Sequence, residues 1–269
     1  AEDNFGWKPT YDDEYIEHAF GVISIHNMPI LDAINRLGKT QIIDVRHEQA
    51  GTHAADGYAR ASGKLGVMIA STGPGTSNTV TGLYEAQYGS SRVLVITGQA
   101  ETGFYGKGLA YVHEAEQQVP MLASVCRRVE SPRAPSQLGP ALQSVVTDMY
   151  TGRGAPGALE IPIDIQYAAN ASMGIQLPDN DQFAPDESKL ELVINALQHT
   201  QRRILLVGGG AIAAEAQEEV QALAEQLQIP VLTTVDGRGV IPEDHPLCIG
   251  NYYNSAGMYQ AIADADLTL

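Results

Sequence analysis

Glu48 is the side chain that the sequence places best for chemistry. It follows the apolar run Ile42-Ile43-Asp44-Val45 and opens an Ala-rich segment, Glu48-Gln49-Ala50-Gly51-Thr52-His53-Ala54-Ala55. A carboxylate at the end of a strand and the mouth of a helix is held by both elements, and ligands of open α/β sheets gather at such strand ends. The local alternative is a helix-start role, where the helix dipole favours an acidic residue. A second candidate lies in Ser71-Thr72-Gly73-Pro74-Gly75-Thr76-Ser77-Asn78. Gly73, Pro74 and Gly75 come between an apolar strand and a helix, so a ligand could approach the backbone there. Asn78 is expected to fix the turn through side-chain hydrogen bonds, and a plain tight turn is the alternative. His47 and His53 bracket Glu48, but His47 adjoins it and points elsewhere, while His53 is expected on the helix packing surface. No metal site is expected.

These segments share their wording and order with a known group. Together with Gly82-Leu83-Tyr84-Glu85-Ala86, the strand Val93-Leu94-Val95-Ile96-Thr97-Gly98, the segment Gly154-Ala155-Pro156-Gly157-Ala158-Leu159-Glu160-Ile161-Pro162-Ile163-Asp164 and the stretch from Asp236 to Leu247, they resemble thiamin-diphosphate (ThDP) enzymes. The resemblance is to the pyrimidine-binding and middle domains of the group that holds acetohydroxyacid synthase (acetolactate synthase large subunit), benzoylformate decarboxylase and pyruvate oxidase. It covers roughly positions 19 to 269. A lone Gly-Pro-Gly is weak evidence, since these residues mark turns everywhere; several motifs in order are not.

The resemblance implies roles. Glu48 would hydrogen-bond N1′ of the ThDP aminopyrimidine and favour the imino tautomer, whose 4′-nitrogen removes the thiazolium C2 proton; the cofactor then serves as electron sink. Little water should surround such a carboxyl group. Gly73, Pro74, Gly75 and Asn78 would lie near the pyrimidine. His113, in Gly108-Leu109-Ala110-Tyr111-Val112-His113-Glu114, stands where related synthases carry a glutamine before the same glutamate. It could orient a substrate carboxylate or shuttle protons. His26, which departs from the group's Pro-Gly loop, and Ser71 are candidates for substrate contact. Solvated loop histidines are the alternative for both His26 and His113. Mg²⁺ would be held with the diphosphate by a Gly-Asp-Gly segment and an Asn in a third domain. No Gly-Asp-Gly occurs here, so the magnesium ligands are expected outside this chain, which should be inactive alone.

The elements that must position these residues are legible as apolar runs. Thr40 to Val45, Gly66 to Ala70, Val93 to Thr97 and Ala158 to Ile163 show little polar alternation, which predicts buried parallel strands. The first domain, residues 1–170, reads as doubly wound α/β. A stretch rich in Asn, Asp and Pro follows, and residues 171–187 are expected to be a linker. Residues 188–269 read as part of a second α/β domain: a helix to His199, a strand Ile204 to Val207, the turn Gly208-Gly209-Gly210, one helix from Ile212 to Leu227, and a strand Pro230 to Thr233. The glycine turn loosely fits a dinucleotide-binding form, making FAD a possible ligand, but the next strand ends in Thr233-Thr234 where a ribose-binding acid would stand. Tight packing explains the glycines as well. The sequence stops as a new strand begins, and such an unpaired edge is avoided by natural domains, so a longer natural chain is expected. Residues 1–15 have no reading.

Composition narrows the partners. The 269 residues suit two domains, each with its own core. A net charge of −16, from 32 acidic and 16 basic residues, opposes nucleic acid and anionic membranes. Cys126 and Cys248 are far apart with no Cys-x-x-Cys, and His245 with Cys248 offers only two ligands, which suits a reducing cytoplasm. No apolar run reaches the length of a membrane span. The resemblance implies a ThDP-dependent carboligase or decarboxylase of a 2-keto acid, most like the acetolactate synthase large subunit with pyruvate as the leading substrate, in a homodimer or homotetramer. Its rivals are a benzoylformate- or oxalyl-CoA-decarboxylase-like enzyme, a noncatalytic partner subunit supplying the glutamate, and an unrelated α/β ligand-binding protein.

Overall fold

A computed structural model describes residues 16–168, 185–251 and 256–269. Residues 1–15 and most of the expected linker lie outside them. The chain divides into two units after Asp181.

The first unit runs β1 (His18–Gly21), α1 (Met28–Leu37), β2 (Gln41–Asp44), α2 (Glu48–Ser62), β3 (Gly66–Ala70), α3 (Pro74–Tyr88), β4 (Val93–Gln99), α4 (Gln118–Ala123), β5 (Arg128–Glu130), α5 (Leu138–Tyr150), β6 (Gly157–Pro162) and α6 (Ile163–Tyr167). Its six strands are parallel, in the order β2-β1-β3-β4-β6-β5. The central strands are apolar on both sides because both are covered. Val67, Ile69, Leu94 and Ile96 pack with Leu142, Val145 and Met149 of α5 on one face. Met68, Ala70, Val93 and Val95 pack with Ala55 of α2, Leu83 and Ala86 of α3 and Leu122 of α4 on the other. This is the doubly wound arrangement expected. The strand β2 is less buried than the apolar run implies, since it lies at the sheet edge with Gln41 and Asp44 exposed.

The strand order fixes where a ligand can sit. From β1 the chain winds outward to β2, returns to the other side of β1 at β3, and continues outward to β4. The loops after β1 and β3 thus diverge, opening the crevice that doubly wound sheets offer at their carboxyl ends. The helices α2 and α3 cross the same face and approach closely because they carry small residues: a Cβ at Gly82 would lie 2.7 Å from Cβ of Thr52.

The second unit runs α7 (Glu187–His199), β7 (Arg203–Val207), α8 (Gly209–Ala213), α9 (Gln217–Leu227), β8 (Val231–Thr233), β9 (Cys248–Asn251), α10 (Ala256–Asp264) and β10 (Leu267–Thr268). Its parallel sheet has the order β10-β7-β8-β9. The single helix expected from Ile212 to Leu227 is two, because Glu215 adopts φ +54° and breaks the ladder. The glycine turn after β7 packs against its own unit. A Cβ at Gly209 would lie 2.9 Å from Cβ of Asp236, and one at Gly237 only 2.2 Å from the Val207 carbonyl oxygen.

Candidate active site

Glu48 is the first residue of α2, and the residue is only 9% exposed. The preceding His47 is extended, and its Nδ1 accepts the backbone N–H of Gln49 at 3.2 Å, capping the helix. His47 is therefore used locally, and His53 is exposed, contrary to the packing role expected for it. No cluster of three metal-ligating side chains occurs among the described residues.

Asn78 corrects its sequence reading. Its amide does not hold its own turn; Nδ2 donates to Oε2 of Glu48 at 2.9 Å, across the α2–α3 contact. The other carboxylate oxygen faces Gly75, where an added Cβ would lie 3.1 Å from Oε1 and 2.8 Å from Cβ of Ser71. Gly75 is small because the carboxylate occupies that space. Gly73 caps α3 with φ +57° and ψ −112°, a conformation for which glycine is the natural choice. Its Cβ would meet the carbonyl oxygen of His113 at 2.9 Å.

The two diverging loops touch at Ser24 and Ser71, whose hydroxyls are 2.6 Å apart. His26 follows in the first loop. It is 2% exposed, and its ring centroid lies 5.9 Å from that of His113. His113 is exposed and held at φ +58°. Hence Glu48, Gly73, Gly75, Asn78 and Ser71 adjoin one another, with His113 and His26 beside them. Sequence reading missed Gly98 at the end of β4: a Cβ there would lie 2.2 Å from the His26 carbonyl oxygen, so this glycine lets the His26 loop close over the strand. Its signal was a glycine ending a buried apolar strand.

Burial, and then the neighbouring His113, lower the pKa of His26 below its ordinary value. The unfolded chain then binds a proton more readily than the folded one, so stability is present at neutral pH and is lost as the pH falls below about 6.5. A His26→Gln variant should show a shallower fall in Tm than the natural sequence between about pH 7.5 and 5.5. Equal slopes in the two proteins would contradict this account of His26.

The residues fit ThDP. A carboxylate with one oxygen held by an amide and the other beside a backbone without side chains can take a ring nitrogen as its further partner. Comparisons with known proteins agree. Residues 10–124 match the family model "Thiamine pyrophosphate enzyme, N-terminal TPP binding domain", and residues 190–269 match "Thiamine pyrophosphate enzyme, central domain". The chain belongs to the thiamine pyrophosphate enzymes. An acetolactate synthase of Arthrospira platensis is 35% identical over 87% of the chain and 42% of its own length. The acetolactate synthase large subunit of Parasynechococcus marenigrum is 34% identical over 94% of the chain and 42% of its own length. A probable 2-ketoarginine decarboxylase of Pseudomonas aeruginosa is 32% identical over 94% of the chain and 45% of its own length. The chain thus spans less than half the length of these relatives. Among the described residues, no helix is long and apolar enough to cross a membrane.

Proposed function

We propose that the chain forms the pyrimidine-binding and part of the middle portion of a ThDP-dependent carboligase of 2-keto acids, of the acetolactate synthase type, with pyruvate as leading substrate. The observation that carries this reading is the Glu48 carboxylate, buried, bonded to Asn78 and set against Gly75. Bound ThDP would supply the electron sink for the carbanion left by decarboxylation. Glu48 would hold a proton at N1′ of the aminopyrimidine, and its shielding from water would keep that proton from being lost to solvent. Gly73, Pro74 and Gly75 would let the ring approach the backbone, and Asn78 would keep the carboxylate aimed. His113, His26 and Ser71 would face the substrate. Mg²⁺ would be held with the diphosphate by residues outside this chain. In the turn after β7, Gly209 packs against Asp236, while Gly210 faces open space.

A homodimer or homotetramer in the cytoplasm suits this reading. Ile23 and Ile25, after β1, and Leu109 and Val112, after β4, are all more than half exposed at the carboxyl end of the sheet. Apolar side chains in such numbers suit a subunit contact, here with the diphosphate-binding domain of a second copy. A decarboxylase of a larger 2-keto acid is the second reading, favoured by the similarity to the 2-ketoarginine enzyme.

The test is turnover of the complete protein with ThDP and Mg²⁺. Formation of acetolactate from pyruvate, absent when ThDP is withheld, is the expected result. Release of CO₂ without carbon–carbon bond formation would favour the decarboxylase, and no ThDP-dependent conversion of any 2-keto acid would overturn both readings.

A further inference from the structure

A carboxylate that the proposed reaction does not use lies beneath the site. Glu160 is in the middle of β6, between Leu159 and Ile161, and is fully buried. Four donors converge on it. Gln99 Nε2 and Gln118 Nε2 reach Oε2 at 3.0 and 2.8 Å, and Ser131 Oγ and Arg133 Nη2 reach Oε1 at 2.7 and 3.4 Å. The Arg133 guanidinium also lies 3.9 Å from the centroid of the Tyr105 ring.

We propose that Glu160 is a positioning residue that holds the Gly73 turn and the His113 loop through the two glutamines. A carboxylate with donors on both oxygens acts only as an acceptor. Each glutamine must therefore turn its NH₂ towards Glu160, and its carbonyl oxygen is thereby aimed the other way. Gln118 Oε1 accepts the backbone N–H of Gly73 at 2.8 Å. Gln99 Oε1 accepts the N–H of Ala100 at 2.8 Å, while its Nε2 also donates to the Ala115 carbonyl at 3.1 Å. The Thr72 hydroxyl lies 3.1 Å from the His113 carbonyl oxygen, joining turn to loop. Gln99, Gln118 and Thr72 are all buried, so an amide turned the wrong way would set a donor against the Gly73 donor with no water to relieve it. The Glu160 carboxylate, together with the Gly98 carbonyl that accepts from Gln118 Nε2 at 2.9 Å, thus orients the backbone on which Gly75 meets Glu48 and the loop that carries His113. That this turn serves a cofactor rests on the function proposed above; the relay itself does not.

The test is amide hydrogen exchange of the complete protein without ThDP, comparing Gly73 with the core amides of β3 and β4. Glu160→Met removes the acceptor at nearly constant volume. Exchange at Gly73 should rise about tenfold, the scale of one ordinary hydrogen bond lost, with the core amides unchanged. Where that variant does not fold, Glu160→Asp, which withdraws the carboxylate by one methylene, carries the test with the same expectation. Unchanged exchange at Gly73, or a rise spread evenly through the sheet, would overturn the proposal. ThDP affinity, measured on the same variants by calorimetry with Mg²⁺, separates the two readings: a fall is expected, and raised Gly73 exchange with unaltered affinity would leave the relay standing and remove the turn from the cofactor site.

Discussion

Replacing Glu48 by Gln in the complete protein should lower ThDP-dependent turnover of pyruvate by about 10²–10³-fold, within the range for a positioned acid–base group. The fold should hardly notice. A glutamine fits the same space, its carbonyl oxygen can still accept the Asn78 amide that now bonds Oε2, and only a charge near a helix start is lost, about 0.3–1 kcal/mol. The two effects have different sizes in different readouts, which decides between the two roles open to Glu48. A glutamate that merely favours the start of α2 would show a small fall in Tm and unaltered turnover. A glutamate that holds a cofactor proton would show the same small fall in Tm together with the large loss of turnover.

Gly73→Ala should cost stability as well as activity. The backbone there is at φ +57° and ψ −112°, and strain of this kind costs about 1–3 kcal/mol for a residue with a side chain. The new Cβ would also lie 2.9 Å from the His113 carbonyl oxygen, a backbone atom, so the loop presenting His113 must move. A fall in Tm of about 5–10 °C is expected for a domain of this size, with substrate binding weakened because His113 moves too. Gly75→Ala makes a useful contrast. Gly75 has no unusual backbone, and its Cβ would press on Ser71 and on Glu48 Oε1, so turnover should suffer more than Tm. Scanning calorimetry and steady-state kinetics on the two variants check both statements; equal Tm for Gly73→Ala and the natural sequence would show that the turn can relax without cost.

Much of this could be read from the residues alone, and the exceptions have physical causes. The apolar runs Gly66 to Ala70 and Val93 to Thr97 lie in strands covered on both faces, and such strands have no polar alternation to confuse them with surface elements. The strand Arg128–Glu130 was missed because it is three residues long with charges at both ends. The strand Cys248–Asn251 at the other sheet edge is only partly buried and carries little pattern. Glu48 stood out because chemistry and position coincide in one short segment. Asn78 was misread because its partner is 30 residues away and the α2–α3 contact that joins them depends on packing, not on local wording. The Gln99, Gln118 and Glu160 network spans still larger separations. Its one visible trace is an acidic residue inside an otherwise apolar strand, a position where burial without partners would be costly.

The most direct measurement of the central claim is the exchange rate of the thiazolium C2 proton of ThDP bound to the complete protein, followed by NMR after acid quench. The proton should exchange rapidly in the natural protein and at least about 10²-fold more slowly in Glu48→Gln. Equal rates in the two proteins, with ThDP bound in both, would contradict the assignment of Glu48 as the residue that activates the cofactor.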